Sequence, residues 1–424
     1  MRILMVAPQP FFQARGTPFS VLQRVTALTR LGHTVDMVTY PIGQPVRIDG
    51  LTIHRAPRVP FVRDVRVGPS IAKIFLDASL LYRTLQVLRR GSYDLLHTHE
   101  EAAIMGGWLS RRFGVPHLYD MHSSLPEQFG NFERYDWWPV KKLFAWAERF
   151  TLDRSDLVIT VCPALDRHVK GMGFTRPSAM IENTYELEPA RIEPADIAGL
   201  KAALGIEGKS AVVYTGTLEA YQGIDLLLAA VPLVRAAVGE AHFVIVGGTE
   251  AQAEGLRRRA VELGIGDTVS CVAAVAPDRV SLYHGLAAVL VTCRTRGVNT
   301  PLKIYEYMRA GRPIVATAIH SHTQVLNEDA AELVPPNAAG VAEGLIRVLT
   351  DPARARRLAQ VARETSDERY GSERYLANLA NLLSHLPRLG EGSRDSLAYR
   401  TNKLSAASTA SGDTEPTAPS SVRR

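Results

Sequence analysis

The chain has 424 residues, room for two domains with a full core each. Hydrophobic residues at 46% and charged residues at 22% are ordinary for a soluble globular protein, and the net charge of +6 comes without a recognised nucleic-acid-binding motif. Three widely spaced cysteines, Cys162, Cys271 and Cys293, exclude a zinc module and suit a reducing compartment.

The run Ile3-Leu-Met-Val-Ala7 is too short for a signal peptide and reads as a first strand. No apolar run approaches the length of a membrane span, so a cytoplasmic protein is expected. The loop that follows holds Gly16 and Thr17 but no G-x-G-x-x-G, which argues against a dinucleotide dehydrogenase. Strands are predicted at 34–39, 95–99, 117–120 and 157–161, with helices over 20–30, 102–112 and 140–152. Between 55 and 90, Arg55, Arg58, Arg63, Arg66, Lys73, Arg83, Arg89 and Arg90 are opposed only by Asp64 and Asp77. The helical period of 71–88 makes this either a helix with a solvated basic face or a segment lying on an anionic membrane.

His97 and His99 end one predicted strand, and His122 and Ser123 follow another, at the end of the sheet where ligands bind. His97 and His99 share a strand face, yet no carboxylate stands at a fixed spacing from them. No metal site is therefore expected, and they read as core or acceptor-side histidines. Trp137-Trp138-Pro139 reads as an acceptor rim, a membrane edge or simply the cover of a helix end. Residues 1–187 form a first domain, and the Pro- and Glu-containing stretch 188–208 a linker.

Strands at 211–215, 242–246, 269–272, 289–292 and 314–317 repeat the pattern and place a second domain at 209–370. Gly216, Thr217, Gln222 and Gly223 lie between a strand and an apolar helix, where phosphates usually bind, although a plain turn fits the segment too. Gly247 ends the next strand, and a backbone that close to a ligand favours glycine.

The run 297–317 says most. Thr300 suits a helix N-cap and Pro301 the first helical position. Gly311 ends the helix in a left-handed conformation, Pro313 blocks its continuation, and Ile314 opens a buried strand. Lys303 then lies in the first turn, where free amides and the helix dipole attract anions, and Glu306 shares its face. A cation with amides suits a diphosphate, and the carboxylate one turn on suits ribose hydroxyls. The competing reading is an ordinary Lys303–Glu306 pair on a solvated face. A final helix at 371–386, stopped by Pro387, precedes a tail at 387–424 expected to be disordered.

This run resembles the donor-binding helix of the family-four retaining glycosyltransferases, whose fold is GT-B: α/β, with two Rossmann-like parallel-sheet domains facing across a cleft. Many members carry E-x7-E here; Glu306 fits the second glutamate, and Val298 stands at the first. A subgroup with Asn-Thr-Pro-Leu-Lys in this loop shares that departure. The resemblance implies that Asn299, Thr300, Pro301, Leu302, Lys303 and Glu306 bind a nucleotide diphosphate sugar. It gives Gly216, Thr217, Gln222, Gly223 and Gly247 the phosphate side, Ala273 the surroundings of the base, and Gly16 and Thr17 an approach from the opposite domain. Relatives place an Arg and a Lys where Thr217 and Gln222 stand, so more of the neutralisation falls on Lys303, helped by Arg294 or Arg296.

The same resemblance assigns catalysis to His122, Lys303 and Glu306, with His97, His99 and Ser123 on the acceptor side. It returns the last helix to the first domain. The implied reaction moves a sugar to a hydroxyl of a glycan or lipid-linked acceptor with retention, without cofactor or required metal, with peripheral membrane contact through 55–90 and no nucleic acid. A nucleotide-sugar epimerase on this scaffold, or a degenerate binding protein suggested by Val298, Thr217 and Gln222, is the alternative. A pyridoxal-phosphate phosphorylase would need a cofactor lysine, and none stands out.

Overall fold

The computed structural model describes residues 1–13, 16–62, 70–124, 138–182 and 192–386. A first sheet takes β1 (Arg2–Ala7), β2 (Thr34–Thr39), β3 (Leu51–Arg55), β4 (Leu95–His99), β5 (His117–Met121), β6 (Leu157–Thr160) and β7 (Ser178–Met180). Their order in space is β3-β2-β1-β4-β5-β6-β7, all parallel, with Ile3 opposite Val35 on one side and Leu95 on the other. Parallel neighbours need crossovers. These are α1 (Gly16–Arg30), α2 (Ile71–Arg90), α3 (Ala102–Phe113), α4 (Trp138–Arg154) and α5 (Pro163–Gly171). Both faces of the sheet are covered, which is why its central strands are nearly continuous apolar runs. Ile3 and Met5 pack with Val21 and Leu28 of α1, while Leu4 and Val6 pack with Leu76 and Leu80 of α2.

The second sheet repeats the plan with β8 (Ser210–Thr215), β9 (Ala241–Val246), β10 (Val269–Val272), β11 (Val289–Thr292), β12 (Ile314–Thr317) and β13 (Glu332–Val334), ordered β10-β9-β8-β11-β12-β13 and parallel throughout. Around it lie α6 (Pro194–Leu204), α7 (Ile224–Ala237), α8 (Glu250–Glu262), α9 (Pro277–Leu286), α10 (Leu302–Arg309), α11 (His320–Thr323), α12 (Ala338–Thr350) and α13 (Pro352–Tyr370). The last helix, α14 (Ser372–Leu383), joins the core of the first domain through Tyr375, Leu379 and Leu383, beside Val21 and Leu28.

Three strands escaped the sequence reading: β3, β7 and β13. Each is a sheet edge with one neighbour, so none needs the apolar run that marks a central strand. The stretch expected as a linker is half helix. Pro194 opens α6, Glu193 and Asp196 form a reciprocal cap, and Gly205 closes it at φ +64°.

One expectation about hydropathy is corrected. The helical stretch Ala220–Ala237 is long and apolar enough, by length and composition, to cross a membrane. It is a core element instead, with Leu227, Leu228, Val231 and Val234 buried against the second sheet. Trp137, Arg63, Arg66 and the tail 387–424 lie outside the described residues.

Candidate active site

The carboxyl ends of β8, β9 and β11 carry the residues of the second domain that matter. Gly216 follows β8 at φ +141°, and a Cβ there would lie 2.5 Å from Lys303 Nζ. Gly247 follows β9 at φ +143°, and a Cβ there would overlap the Gly216 carbonyl oxygen. The two glycines let neighbouring strand ends stack closely while a lysine passes beneath. Gly223, at φ +72°, fits because its missing Cβ would strike the Cys293 carbonyl, and it opens α7.

Helix α10 begins one residue later than its sequence suggested. Pro301 is the N-cap, in extended conformation at ψ 135°, and Thr300 makes no cap hydrogen bond. A proline that must be extended cannot also be the first helical residue, so the start moves to Leu302. Gly311 leaves the helix at φ +61°, in the left-handed region expected of it. Lys303 lies in the first turn and is 8% exposed. Its Nζ donates to Gln222 Oε1 at 3.5 Å and sits 3.8 Å from the centre of the Tyr214 ring. Gln222 Nε2 donates in turn to Thr217 Oγ1 at 3.2 Å, and Tyr214 donates to the Thr217 carbonyl at 2.7 Å.

No ion pair joins Lys303 to a carboxylate among the described residues. Burial, and then repulsion from Arg294, push its ammonium down to about 7. Glu306, one turn on, is half-buried, and burial pushes its carboxyl upward. The reading of Lys303 and Glu306 as a solvated surface pair therefore fails. Ala273 follows β10 at the same end of the sheet, half-buried.

In the first domain the sheet presents a buried polar cluster. Arg24 Nε donates to Asp120 Oδ2 at 2.8 Å, and both side chains are at most 1% exposed. His97 Nε2 lies 3.3 Å from the same oxygen, and the His97 and His99 rings stack with centroids 4.7 Å apart. His99 Nδ1 meets His122 Nε2 at 2.9 Å, and His122 Nε2 lies 3.5 Å from Asp120 Oδ1. Burial alone would push the Asp120 carboxyl up, but Arg24 and the histidines hold it well below the ordinary range. Burial keeps His97, His99 and His122 below theirs.

Asp120 is the carboxylate that the sequence spacing did not offer. With His97 and His99 it forms a group whose ligand-type atoms lie within 4.8 Å of one another. Arg24 already meets the charge of Asp120, so the group reads as a buried polar network beneath His122, in which His97 Nδ1 and His99 Nε2 keep no hydrogen-bond partner among the described residues. Gly16 starts α1 at φ +38°, and Thr17 donates to Glu100 Oε1 at 3.0 Å, itself a non-glycine at φ +49°. Ser123 is half-buried beyond β5.

The two domains meet at these strand ends. Asn299 Nδ2 donates to the His122 carbonyl at 2.5 Å, and its Oδ1 receives the Cys162 thiol at 3.8 Å. Gln324 Nε2 donates to the Val298 carbonyl at 2.8 Å while its Oε1 accepts from the Ala164 amide at 3.3 Å. Tyr305 donates to Glu182 Oε1 at 3.1 Å, and burial pushes Glu182 up to about 7. The side chain of Asn299 is thus committed to the first domain, not to the loop's own side. His322 is fully buried, with Nδ1 2.8 Å from the Thr317 carbonyl.

At this junction Lys303 lies beside Gly216 and Gln222, Asn299 of the same loop is tied to the His122 carbonyl, and Glu306 follows one turn after Lys303. Arg24, Asp120 and Glu182, which the sequence did not single out, join it through the Arg24–Asp120 pair, the Ile181 carbonyl and Tyr305. The available signal was Asp120 itself, a carboxylate inside a fully buried central strand, which needs a buried partner.

Two doubly wound parallel sheets that bring their carboxyl ends together are the GT-B architecture. A family model described as "Glycosyl transferase 4-like domain" matches residues 15–184, and one described as "Glycosyl transferases group 1" matches residues 209–351. Among curated proteins, a D-inositol 3-phosphate glycosyltransferase of Mycolicibacterium gilvum is 27% identical over 337 residues, 75% of this chain and 74% of that protein. Among solved structures, sucrose-phosphate synthase from Thermosynechococcus elongatus superposes with a TM-score of 0.77 at 22% identity, over 92% of this chain and 99% of that one. Anabaena HepE in complex with UDP-glucose does so with 0.69 at 17%, over 91% and 99%. The chain belongs to the family-four glycosyltransferases.

Proposed function

We propose that this glycosyltransferase moves a sugar from a nucleotide diphosphate sugar to a hydroxyl of a glycan or lipid-linked acceptor, with retention of configuration. The observation that carries the reading is a buried lysine at a helix start with no ion-pair partner among the described residues. Such a group is costly unless an anion completes it. The diphosphate is where most negative charge develops as the glycosidic bond breaks. Lys303 and the amides of α10 meet that charge, the term that usually dominates such catalysis. Glu306 holds the ribose hydroxyls, and His122 positions the sugar or the attacking hydroxyl. Protein groups supply the positive charge, so the reaction requires no divalent metal.

The acceptor-bearing membrane fits the outer face of the first domain. Ile74, Phe75 and Tyr82 of α2 are exposed, Phe61 packs edge-on to Phe75 at 5.5 Å, and Arg89 and Arg90 end the helix. Apolar side chains beside cations suit an anionic bilayer at its cytoplasmic side. HepE was solved with UDP-glucose, which supports a nucleotide sugar as donor here.

The test is turnover of a panel of UDP-, GDP- and ADP-sugars with glycan and lipid-linked acceptors, with and without EDTA. Nucleoside diphosphate release that needs an acceptor and survives EDTA is expected. Conversion of the donor without acceptor would favour an epimerase, and binding without turnover a degenerate binding protein.

A further inference from the structure

A diphosphate presents more charge than one lysine poised near neutrality can meet. The loop that follows β8, from Gly216 to Gly223, supplies no cation at all. The remaining positive charge must come from elsewhere. From the geometry we infer that Arg294, at the end of β11, is the second cation of the donor site and grips the diphosphate opposite Lys303; the inference rests on the donor reading above.

Three observations converge on this residue. First, its guanidinium lies 5.1 Å from the centre of the Tyr221 ring, and Tyr221 directly precedes the Gln222 that accepts from Lys303. The main chain fixes that position, because the Thr295 amide donates to the Tyr221 carbonyl at 3.0 Å and Thr317 Oγ1 donates to the Arg294 carbonyl at 2.6 Å. Second, Arg294 has no carboxylate partner among the described residues. Nε donates to the Arg296 carbonyl at 2.9 Å and Nη1 to the Asn299 carbonyl at 3.0 Å. Of the five N–H groups of a guanidinium, about three then stay uncommitted, in the flat fork that suits phosphate oxygens.

Third, Gly297 makes room for it. At φ +129° a Cβ there would overlap the Arg294 guanidinium. Two cations held close together without an anion repel each other, and Lys303 feels that repulsion directly. An anion bound between them would relieve that repulsion. The other cation of this loop, Arg296, is exposed and offers its carbonyl to Arg294 instead.

The experiment compares binding of UDP, GDP and ADP with binding of the matching nucleosides, in the wild type, Arg294→Gln, Arg294→Lys and Arg294→Gln with Gln222→Lys. Arg294→Gln should weaken diphosphate binding roughly 10- to 100-fold, the usual worth of charge-assisted hydrogen bonds, and leave nucleoside binding unchanged. Arg294→Lys should lose less, since charge survives without the fork. Gln222→Lys should win back part of the loss, because it returns a cation to the same place from the other side of Tyr221. Removal of Arg294 should also move the pH dependence that Lys303 imposes to higher pH, which a merely structural role would not do.

Equal weakening of nucleoside and diphosphate, or no weakening at all, would overturn this inference while leaving the donor reading intact. A wild type that binds none of the three nucleoside diphosphates would overturn both.

Discussion

The Lys303 ammonium lies 3.8 Å above the Tyr214 ring, beneath a Gly216 whose Cβ would stand 2.5 Å from it. A glycine, an aromatic face and an amide oxygen surround a cation, and among the described residues no carboxylate forms an ion pair with it. The site holds charge in reserve.

Replacement of Lys303 by Met should therefore separate function from stability. Turnover should fall by roughly two orders of magnitude or more, as when a single transition-state donor is removed. The melting temperature should rise, because a buried charge without a counter-ion has gone. Initial rates and thermal melting of one preparation check both. A variant that melts early would mean that Lys303 supports the fold instead.

Donor binding should take up a proton above neutral pH. With its ammonium at about 7 in the free protein, Lys303 is partly neutral at pH 8. An anion beside it raises that value, so affinity should fall as pH rises from 7, and calorimetry at pH 8 in buffers of different ionisation enthalpy should reveal the uptake. Uptake that is absent at pH 8 would contradict an anion at this lysine.

Asp120→Asn should cost stability of about 3–5 kcal/mol, since it leaves Arg24 charged and buried without its partner. The wild-type pairing contributes fully above the unfolded carboxyl value and is lost as pH falls through the depressed folded one. Denaturant unfolding at pH 7 and pH 3 checks this: the gap between variant and wild type should shrink in acid.

Glu182 runs the other way. Its folded value of about 7 lies above the ordinary carboxyl value, so its contribution is present in acid and lost as pH rises through 7. Glu182→Gln keeps an acceptor for Tyr305 and should melt higher than wild type at pH 8 but alike near pH 4. Equal melting at both would show that this carboxyl carries no burial cost.

Membrane association should need both charge and aromatic side chains. Sedimentation with anionic vesicles should weaken as salt rises, and Phe75→Asp should weaken it further. Binding that ignores salt would remove the proposal.

Much of this architecture was legible in the residues. The central strands announced themselves because a doubly covered sheet demands apolar runs, and the Pro301 to Gly311 punctuation bounded α10 within one residue. The edge strands β3, β7 and β13 were hidden because one-sided pairing places no such demand on them. The site was readable where chemistry sits in a local pattern, as with Lys303 and Glu306 one turn apart. It was unreadable where partners come from distant elements. Arg24 lies 96 positions from Asp120 and Asn299 177 from His122, separations that no spacing rule links.

The most direct measurement is a crystal structure of this protein with a bound nucleoside diphosphate. Phosphate oxygens should lie within hydrogen-bond reach of Lys303 Nζ and the first amides of α10. A nucleotide seated elsewhere, with Lys303 still capped by Gln222 alone, would contradict this placement.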